Sequence, residues 1–246
     1  MNKTVLITGA TGGLAQALVK NLIIDNCQLV LVSRNSKKIE EIYGNQHTQI
    51  IADCSTNLGV KHIFNEIEKR NITLNGLAHC VGNIRLGSIH RTSEADFLDC
   101  ISTNLFSAFF TLSGFVEHLK KYSTHGSAIF VSSAAASIGI PNHEPISAAK
   151  GGLEALVRSS AASYAASNIR INAVSPGILN TPASANLLSS DLMREIAAKQ
   201  YPIKGIGDAE EVADLMAWLL SEKAQRVTGQ VWSIDGGFSC IRPLVK

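Results

Sequence analysis

The sequence predicts an α/β fold, a doubly wound, seven-stranded parallel sheet with helices on both faces. Three observations carry that expectation. Short runs rich in Val, Ile and Leu alternate with longer stretches of helical periodicity, the pattern left by parallel strands joined through crossover helices. A glycine-rich segment, Thr8-Gly9-Ala10-Thr11-Gly12-Gly13-Leu14-Ala15, separates the first apolar run from the first helical one. The length, 246 residues of which 46% are hydrophobic, suits one large domain with a well-buried core.

Taken in order, the first strand is expected near 3–8, where Val5-Leu6-Ile7 stops at Gly9, and a helix follows near 12–25. The run Leu29-Val30-Leu31-Val32 gives a strand near 28–33, followed by a helix near 36–43. A third strand near 48–52 leads to a helix near 56–70, and a fourth near 74–80 leads to a long one near 94–121. Ala128-Ile129-Phe130-Val131 marks a strand near 127–132, with a helix near 146–167 after it. Strands near 169–174 and 230–234 flank the last helix, near 208–221. No repeat, low-complexity tract or charge block divides 1–246, so the whole chain reads as one domain. The irregular stretch 176–206 is long for a loop, and its place after a strand's carboxyl end suits a lid over a ligand crevice. Leu187, Leu188, Met193 and Ile196 have the spacing of a short helix within it. The alternative is a mobile surface loop.

Composition narrows the function classes. With 22 basic and 20 acidic residues the net charge is +2, too small and dispersed for a nucleic-acid footprint, so a small-molecule partner is expected. Cys27, Cys54, Cys80, Cys100 and Cys240 are odd in number and widely spaced. Without a CxxC pair or histidine cluster they read as reduced, cytosolic thiols, with no metal expected. The N-terminal apolar run is too short for a signal or membrane segment, so neither export nor insertion is expected and the location is read as cytoplasmic.

A glycine segment between a strand and a helix lets the backbone turn tightly and approach a pyrophosphate, whose charge the free N–H groups of the helix N-terminus stabilise. Here the residues doing so would be Gly9, Thr11, Gly12, Gly13 and Leu14. The spacing resembles the TGxxxGxG fingerprint of the short-chain dehydrogenase/reductase family, and the resemblance runs through the chain to Asp235-Gly236-Gly237. It implies a Rossmann-like fold and a nicotinamide cofactor. Ala15 stands at the third glycine position, which serves close helix-to-strand packing, and its methyl is a small addition. Ser33-Arg34-Asn35 follows the second strand, where an acidic residue would favour NAD and a cation accepts a 2′-phosphate. NADP(H) is therefore preferred, with NAD(H) the alternative and a solvated Arg34 the other reading. The resemblance also implies cofactor contacts at Asp53 and Cys54 near the adenine, at Gly82, and at Pro176, Gly177, Ile178 and Thr181 near the nicotinamide. Where the family has Asn-Asn-Ala-Gly, this chain has His79-Cys80-Val81-Gly82. His79 is read as an interior histidine and Cys80 as a small filler.

The resemblance assigns the active site to Asn104, Ser133, Lys150 and a tyrosine four residues before that lysine, where this chain has Ile146. In the usual set the lysine lowers the phenol pKa and holds the nicotinamide ribose while the serine polarises the substrate carbonyl. A hydrocarbon breaks that set. Residues four apart share a helix face, so Ile146 and Lys150 should both reach the crevice. The segment Ile140-Pro141-Asn142-His143 resembles the enoyl-thioester reductase branch, whose tyrosine lies seven residues before the lysine, at the place of His143. An imidazole can donate a proton near neutral pH, so His143 is a catalytic or substrate-binding candidate, against a surface-loop histidine. Pro145 suits the first helical position, with Glu144 capping. The leading expectation is an NADP(H)-dependent oxidoreductase passing hydride between nicotinamide and a small carbonyl, alcohol or conjugated enoyl substrate of apolar character. The alternative is a catalytically silent NADP(H)-binding sensor; an isomerase or dehydratase has no residue signal. Generous apolar faces on the helices near 94–121 and 146–167, and the Asp235–Phe238 segment, imply a homodimer or homotetramer.

Overall fold

The computed structural model describes residues 3–242. Seven strands form one sheet: β1 Thr4–Thr8, β2 Gln28–Ser33, β3 Thr48–Ile51, β4 Gly76–His79, β5 Gly126–Val131, β6 Ile169–Pro176 and β7 Val231–Ile234. All neighbours pair in parallel, in the order β3-β2-β1-β4-β5-β6-β7. The aliphatic runs needed both faces covered, and both are. Helices α1 (Gly13–Ile24), α2 (Ser36–Tyr43) and α8 (Ala209–Leu220) cover one, where Leu18, Leu22, Ile39, Val212 and Met216 pack on Ile7 and Leu31. Helices α3 (Asn57–Lys69), α5 (Ser107–Lys121) and α6 (Glu144–Tyr164) cover the other, where Ile63, Ile67, Phe115 and Val157 pack with Phe130 and Leu77. Deleting a fully buried ring such as Phe115 or Phe130 costs about 3–5 kcal/mol.

The chain travels outward from β1 through β2 to β3, then returns to the other side of β1 to begin β4. Connections leaving the carboxyl ends of β1 and β4 therefore diverge, and the gap between them is where such sheets bind ligands. Thr8 and His79, the last residues of the two strands, stand side by side there.

Two expectations need correction. The helix expected near 94–121 is interrupted: α4 spans Glu94–Ile101, a π turn occupies Ser102–Phe106, and α5 follows. Periodicity cannot register one widened turn, because the apolar stripe resumes after it. The helix in the stretch 176–206, α7, spans Asp191–Lys199 and holds two of the four residues expected in it, Met193 and Ile196. Ser190 caps its N-terminus by accepting from Met193 N at 3.3 Å, so the helix begins only after Leu187 and Leu188.

The π turn is tied to His79. Ser107 Oγ donates to the Thr103 carbonyl at 2.6 Å, so it must accept from His79 Nε2–H at 3.0 Å, leaving Nδ1 to accept from the Thr8 hydroxyl at 2.8 Å. His79 is thus a satisfied, neutral interior histidine, as expected. Burial first, and the Lys150 charge second, hold its pKa down at about 3. Between that value and the unfolded value near 6.5 the unfolded chain binds the extra proton, so stability rises with pH and is lost on acidification, by an amount on the order of 5 kcal/mol in full. His79→Asn, which restores the amide usual at this place, should flatten the fall of thermal stability between pH 6.5 and 4; an unchanged slope in a melting series would contradict the assignment.

Candidate active site

The carboxyl ends of β1, β4, β5 and β6 open onto a crevice of about 450 Å³. In the turn after β1 Gly9 has φ +69°, and a Cβ there would lie 2.8 Å from the Cys80 carbonyl carbon and oxygen, so only glycine fits the turn against the residue after β4. Tyr43 reaches in from α2 and donates to the Ala10 carbonyl at 2.7 Å, bracing the loop. No motif announces that brace. Most helices here begin with a side-chain cap, such as Asn35, Thr56 and Ser93. Helix α1 begins at Gly12 without one, leaving first-turn N–H groups free for an anion. Ala15, buried, packs into the α1 core as expected.

Twelve of the sequence-expected residues line this crevice: Gly12, Gly13, Leu14, Gly82, Asn104, Ser133, His143, Lys150, Pro176, Gly177, Ile178 and Thr181. Gly9, Thr11, Ser33, Arg34, Asp53 and Cys54 do not. They stand at or just beyond the carboxyl ends of β1, β2 and β3. Thr11 and Ser33 hydroxyls approach at 3.4 Å, Asp53 accepts from Ser55 N and Oγ at 2.9 and 2.7 Å, and exposed Arg34 makes no ion pair among the described residues. The Cys54 thiol is buried in the core, and burial pushes its pKa up to about 12, so that residue could meet a ligand only through its main chain.

The π turn brings Asn104 into the crevice, where its amide is heavily engaged. Nδ2 donates to Asn83 Oδ1 at 2.7 Å and to the Cys100 carbonyl at 3.0 Å, while Oδ1 accepts from Asn83 N at 3.2 Å. Both amide donors are spent within the protein, so Asn104 offers a ligand only acceptor capacity. Asn83 Nδ2 donates to Asp99 Oδ2 at 2.9 Å, and Arg85 donates to the same oxygen at 3.1 Å, a network that no motif announced. A Cβ on Gly82 would sit 3.0 Å from Asn104 Oδ1 and 3.4 Å from Lys150 Nζ, so the missing side chain keeps open the gap between them.

Ser133 caps the turn Ala134–Ala136 by accepting from Ala135 N at 3.2 Å, which leaves its own proton for a ligand. Lys150, on α6, is buried and donates to the Val131 carbonyl at 2.7 Å. Burial lowers its pKa to about 8. Ile146 lines the same crevice, as the helical spacing required, and its back packs against Cys100, Ala135 and Ala149. Cys80 also lines it, its thiol pushed up to about 12 by burial and therefore unreactive. Helix α6 starts one residue earlier than Pro145 would suggest: Glu144 is already helical, and His143, not Glu144, is the cap residue. His143 Nδ1 lies 2.8 Å from the Pro141 carbonyl, which only an N–H can satisfy, so Nε2 is the nitrogen left for other contacts.

Among the described residues no three or more His, Cys, Asp or Glu side chains are grouped to hold a metal ion, and no helix is long and apolar enough to cross a membrane. Phe238 stacks on Tyr201 at 5.2 Å and lines the crevice.

The sequence profile of the family described as Enoyl-(Acyl carrier protein) reductase matches residues 9–239. The chain belongs to the short-chain dehydrogenase/reductase family. It is 31% identical to a tropinone reductase homologue of Arabidopsis thaliana over 96% of this chain and 92% of the relative. It is 29% identical to the 3-oxoacyl-[acyl-carrier-protein] reductase of Chlamydia pneumoniae over 97% and 98%. The solved structure of ElxO with NADP bound superposes with a TM-score of 0.88 at 26% identity, covering 97% of this chain and 99% of that one. As a member of the short-chain dehydrogenase/reductase family the protein is an NAD(P)-dependent oxidoreductase.

The ammonium of Lys150 is held against its preference for water. Its folded pKa of about 8 lies below the ordinary 10.5, so the penalty is complete below pH 8 and is relieved as pH rises toward 10.5, about 3 kcal/mol in all. Lys150→Met should therefore raise stability at pH 7 by about 1–2 kcal/mol, after about 1 kcal/mol is set aside for the lost bond to Val131. Chemical denaturation at pH 7 and pH 10 checks this: the gain should shrink at pH 10, and a variant less stable at pH 7 would refute it.

Proposed function

We propose that the protein is an NADP(H)-dependent reductase of small, apolar carbonyl or conjugated enoyl compounds, reversible toward the alcohol, that works without a tyrosine at position 146. The observation that carries this reading is one crevice joining the uncapped N-terminus of α1 to Ser133 and Lys150. A dinucleotide fits the residues present: the Gly9 turn admits no side chain, and the free N–H groups beyond Gly12 suit a pyrophosphate. Gly9, Thr11, Gly12, Gly13 and Leu14 would hold that group, Ser33 and Arg34 the 2′-phosphate, and Asp53 with Cys54 the adenine side. Gly82, Lys150, Pro176, Gly177, Ile178 and Thr181 would hold the nicotinamide riboside. Bound there, the reduced cofactor supplies a hydride.

The chain's own residues manage the oxygen that gains charge. Ser133 directs its unassigned hydroxyl proton at that oxygen, and the Lys150 ammonium stabilises the developing anion in a dry site. Reduction of a conjugated double bond suits Ile146, because an enolate needs stabilising more than immediate protonation. His143 turns Nε2 to a ligand, as an acceptor when neutral and a donor when protonated. Ile84, Ile140, Leu187, Met193 and Ile196 join Ile146 in an apolar wall, which favours substrates without charge.

We also infer a homodimer or homotetramer. Phe106 and Phe109 on and beside α5 are about half exposed, and a Cβ on Gly151 of α6 would meet nothing within 4 Å, so these helices present an open face suited to another helix. Light scattering should return more than one chain per particle, and Phe109→Glu should lower the mass; a monomer at micromolar concentration would refute it.

Purified protein with NADPH and a panel of enones, enoyl thioesters and ketones should oxidise NADPH above the buffer rate. Arg34→Glu should weaken NADPH about tenfold or more while sparing NADH, as expected when a charge-assisted bond to phosphate is lost. NADPH binding with no turnover on the whole panel would move the reading to a sensor.

A further inference from the structure

Resting on the reading above, we infer that Glu154 is a positioning residue for Ser133: its buried carboxylate holds the Ser132 hydroxyl and so sets the end of β5 on which Ser133 stands. Glu154 is only 8% exposed, and its Oε1 accepts from Ser132 Oγ–H at 2.7 Å. Ser132 is itself buried, lines the crevice, and immediately precedes the serine whose proton is left for a ligand.

The strand end needs such a hold. Pairing of β5 with β4 stops at Phe130, opposite His79, and pairing with β6 stops at Val131, opposite Val174. Beyond those pairs Ser132 N still donates to the Val174 carbonyl at 2.7 Å, a tie to β6 on one side. Helix α6 adds two more. Lys150 and Glu154 are four residues apart and share the helix face turned to β5. Lys150 donates to the Val131 carbonyl at 2.7 Å, and Glu154 takes the Ser132 hydroxyl. Successive turns of one helix thus grip successive residues of the strand end, and Ser133 is the next residue along.

Packing alone does not call for a carboxylate here. Its neighbours on α6, Leu153 and Val157, belong to the apolar core, and a buried carboxylate is costly unless well bonded. Arg158 offers little, because its side chain is 57% exposed and its guanidinium lies 3.9 Å from Glu154 Oε2. The Ser132 hydroxyl is the one close partner of the carboxylate among the described residues. What the acid adds over a hydrocarbon is direction, since a bonded hydroxyl fixes its own rotamer and the main chain that carries it. A shift of about 1 Å in a reacting group costs on the order of 10²-fold in rate.

The test measures NADPH oxidation with the best substrate of the panel for wild type, Glu154→Leu, Glu154→Gln, Ser132→Ala and the double variant of Ser132→Ala with Glu154→Leu, and the NADPH affinity of each without substrate by calorimetry. Glu154→Leu should lose about tenfold or more in kcat, with its NADPH Kd within about threefold of wild type. Glu154→Gln, whose amide oxygen still accepts from Ser132, should keep kcat within about threefold. Ser132→Ala breaks the same bond from the strand side and should match Glu154→Leu, and the double variant should lose no more than either single one. Wild-type kcat in Glu154→Leu or Ser132→Ala overturns the proposal, and so does Glu154→Gln as impaired as Glu154→Leu. Losses that multiply in the double variant, or that come with about tenfold weaker NADPH binding, mark a general structural role and overturn it too. If Glu154→Leu does not fold, Ser132→Ala and Glu154→Gln decide between these outcomes. A wild type that binds no NADPH or turns over nothing sinks the functional reading itself, an outcome separable from these.

Discussion

The constraint on which everything else depends is the reversal of strand order at β1 and β4. Because the chain moves outward from β1 in one direction and from β4 in the other, no crossover can roof the gap between their carboxyl ends. Every group with chemistry to offer reaches that gap from a different element: the glycine turn from β1, Gly82 from β4, Ser133 from β5, the proline-glycine turn from β6, and Lys150 from α6. The helices do the closing. Their apolar faces cover the sheet on both sides and drive water from the crevice walls, which is why Lys150 and His79 both sit well below their usual proton affinities.

That desolvation has two faces. It strengthens the ammonium's pull on a developing anion, and it burdens the fold with a charge that gains only one carbonyl partner. Active sites commonly store instability in this way. The π turn between α4 and α5 is a second instance. It gives up regular helical bonding, and the carbonyl of Thr103 finds its partner in Ser107, which in turn fixes the tautomer of His79.

Much of this was legible from residues alone. Parallel strands buried on both faces must be apolar end to end, so the runs from Val5 and Leu29 declared themselves, and glycines between a strand and a helix declared the tight turn at Gly9. The register of Ser133, Ile146 and Lys150 follows from strand end and helix pitch, and the structure brings all three to one crevice. What stayed hidden depends on contacts distant in sequence. Asn83 carries no pattern, yet it takes up the donors of Asn104 across 21 positions. Tyr43 meets Ala10 only because α2 packs back on the first loop. Tyr201 stands in an irregular segment where periodicity is silent, and only the fold sets its hydroxyl on Ile178. The widened turn at Asn104 escaped because an inserted residue leaves the apolar stripe nearly unchanged.

Ile146 is then less a loss than a change of wall. The isoleucine lines one side of the crevice beside Ser133 and Lys150 and packs its back against Cys100, Ala135 and Ala149. A crystal structure of the protein grown with NADPH tests the account most directly. The account predicts density for the pyrophosphate on the N-terminus of α1 and for the nicotinamide ring beside Ser133 and Lys150. Full occupancy of NADPH anywhere else on the molecule, or a crevice that stays empty at saturating NADPH, would contradict it.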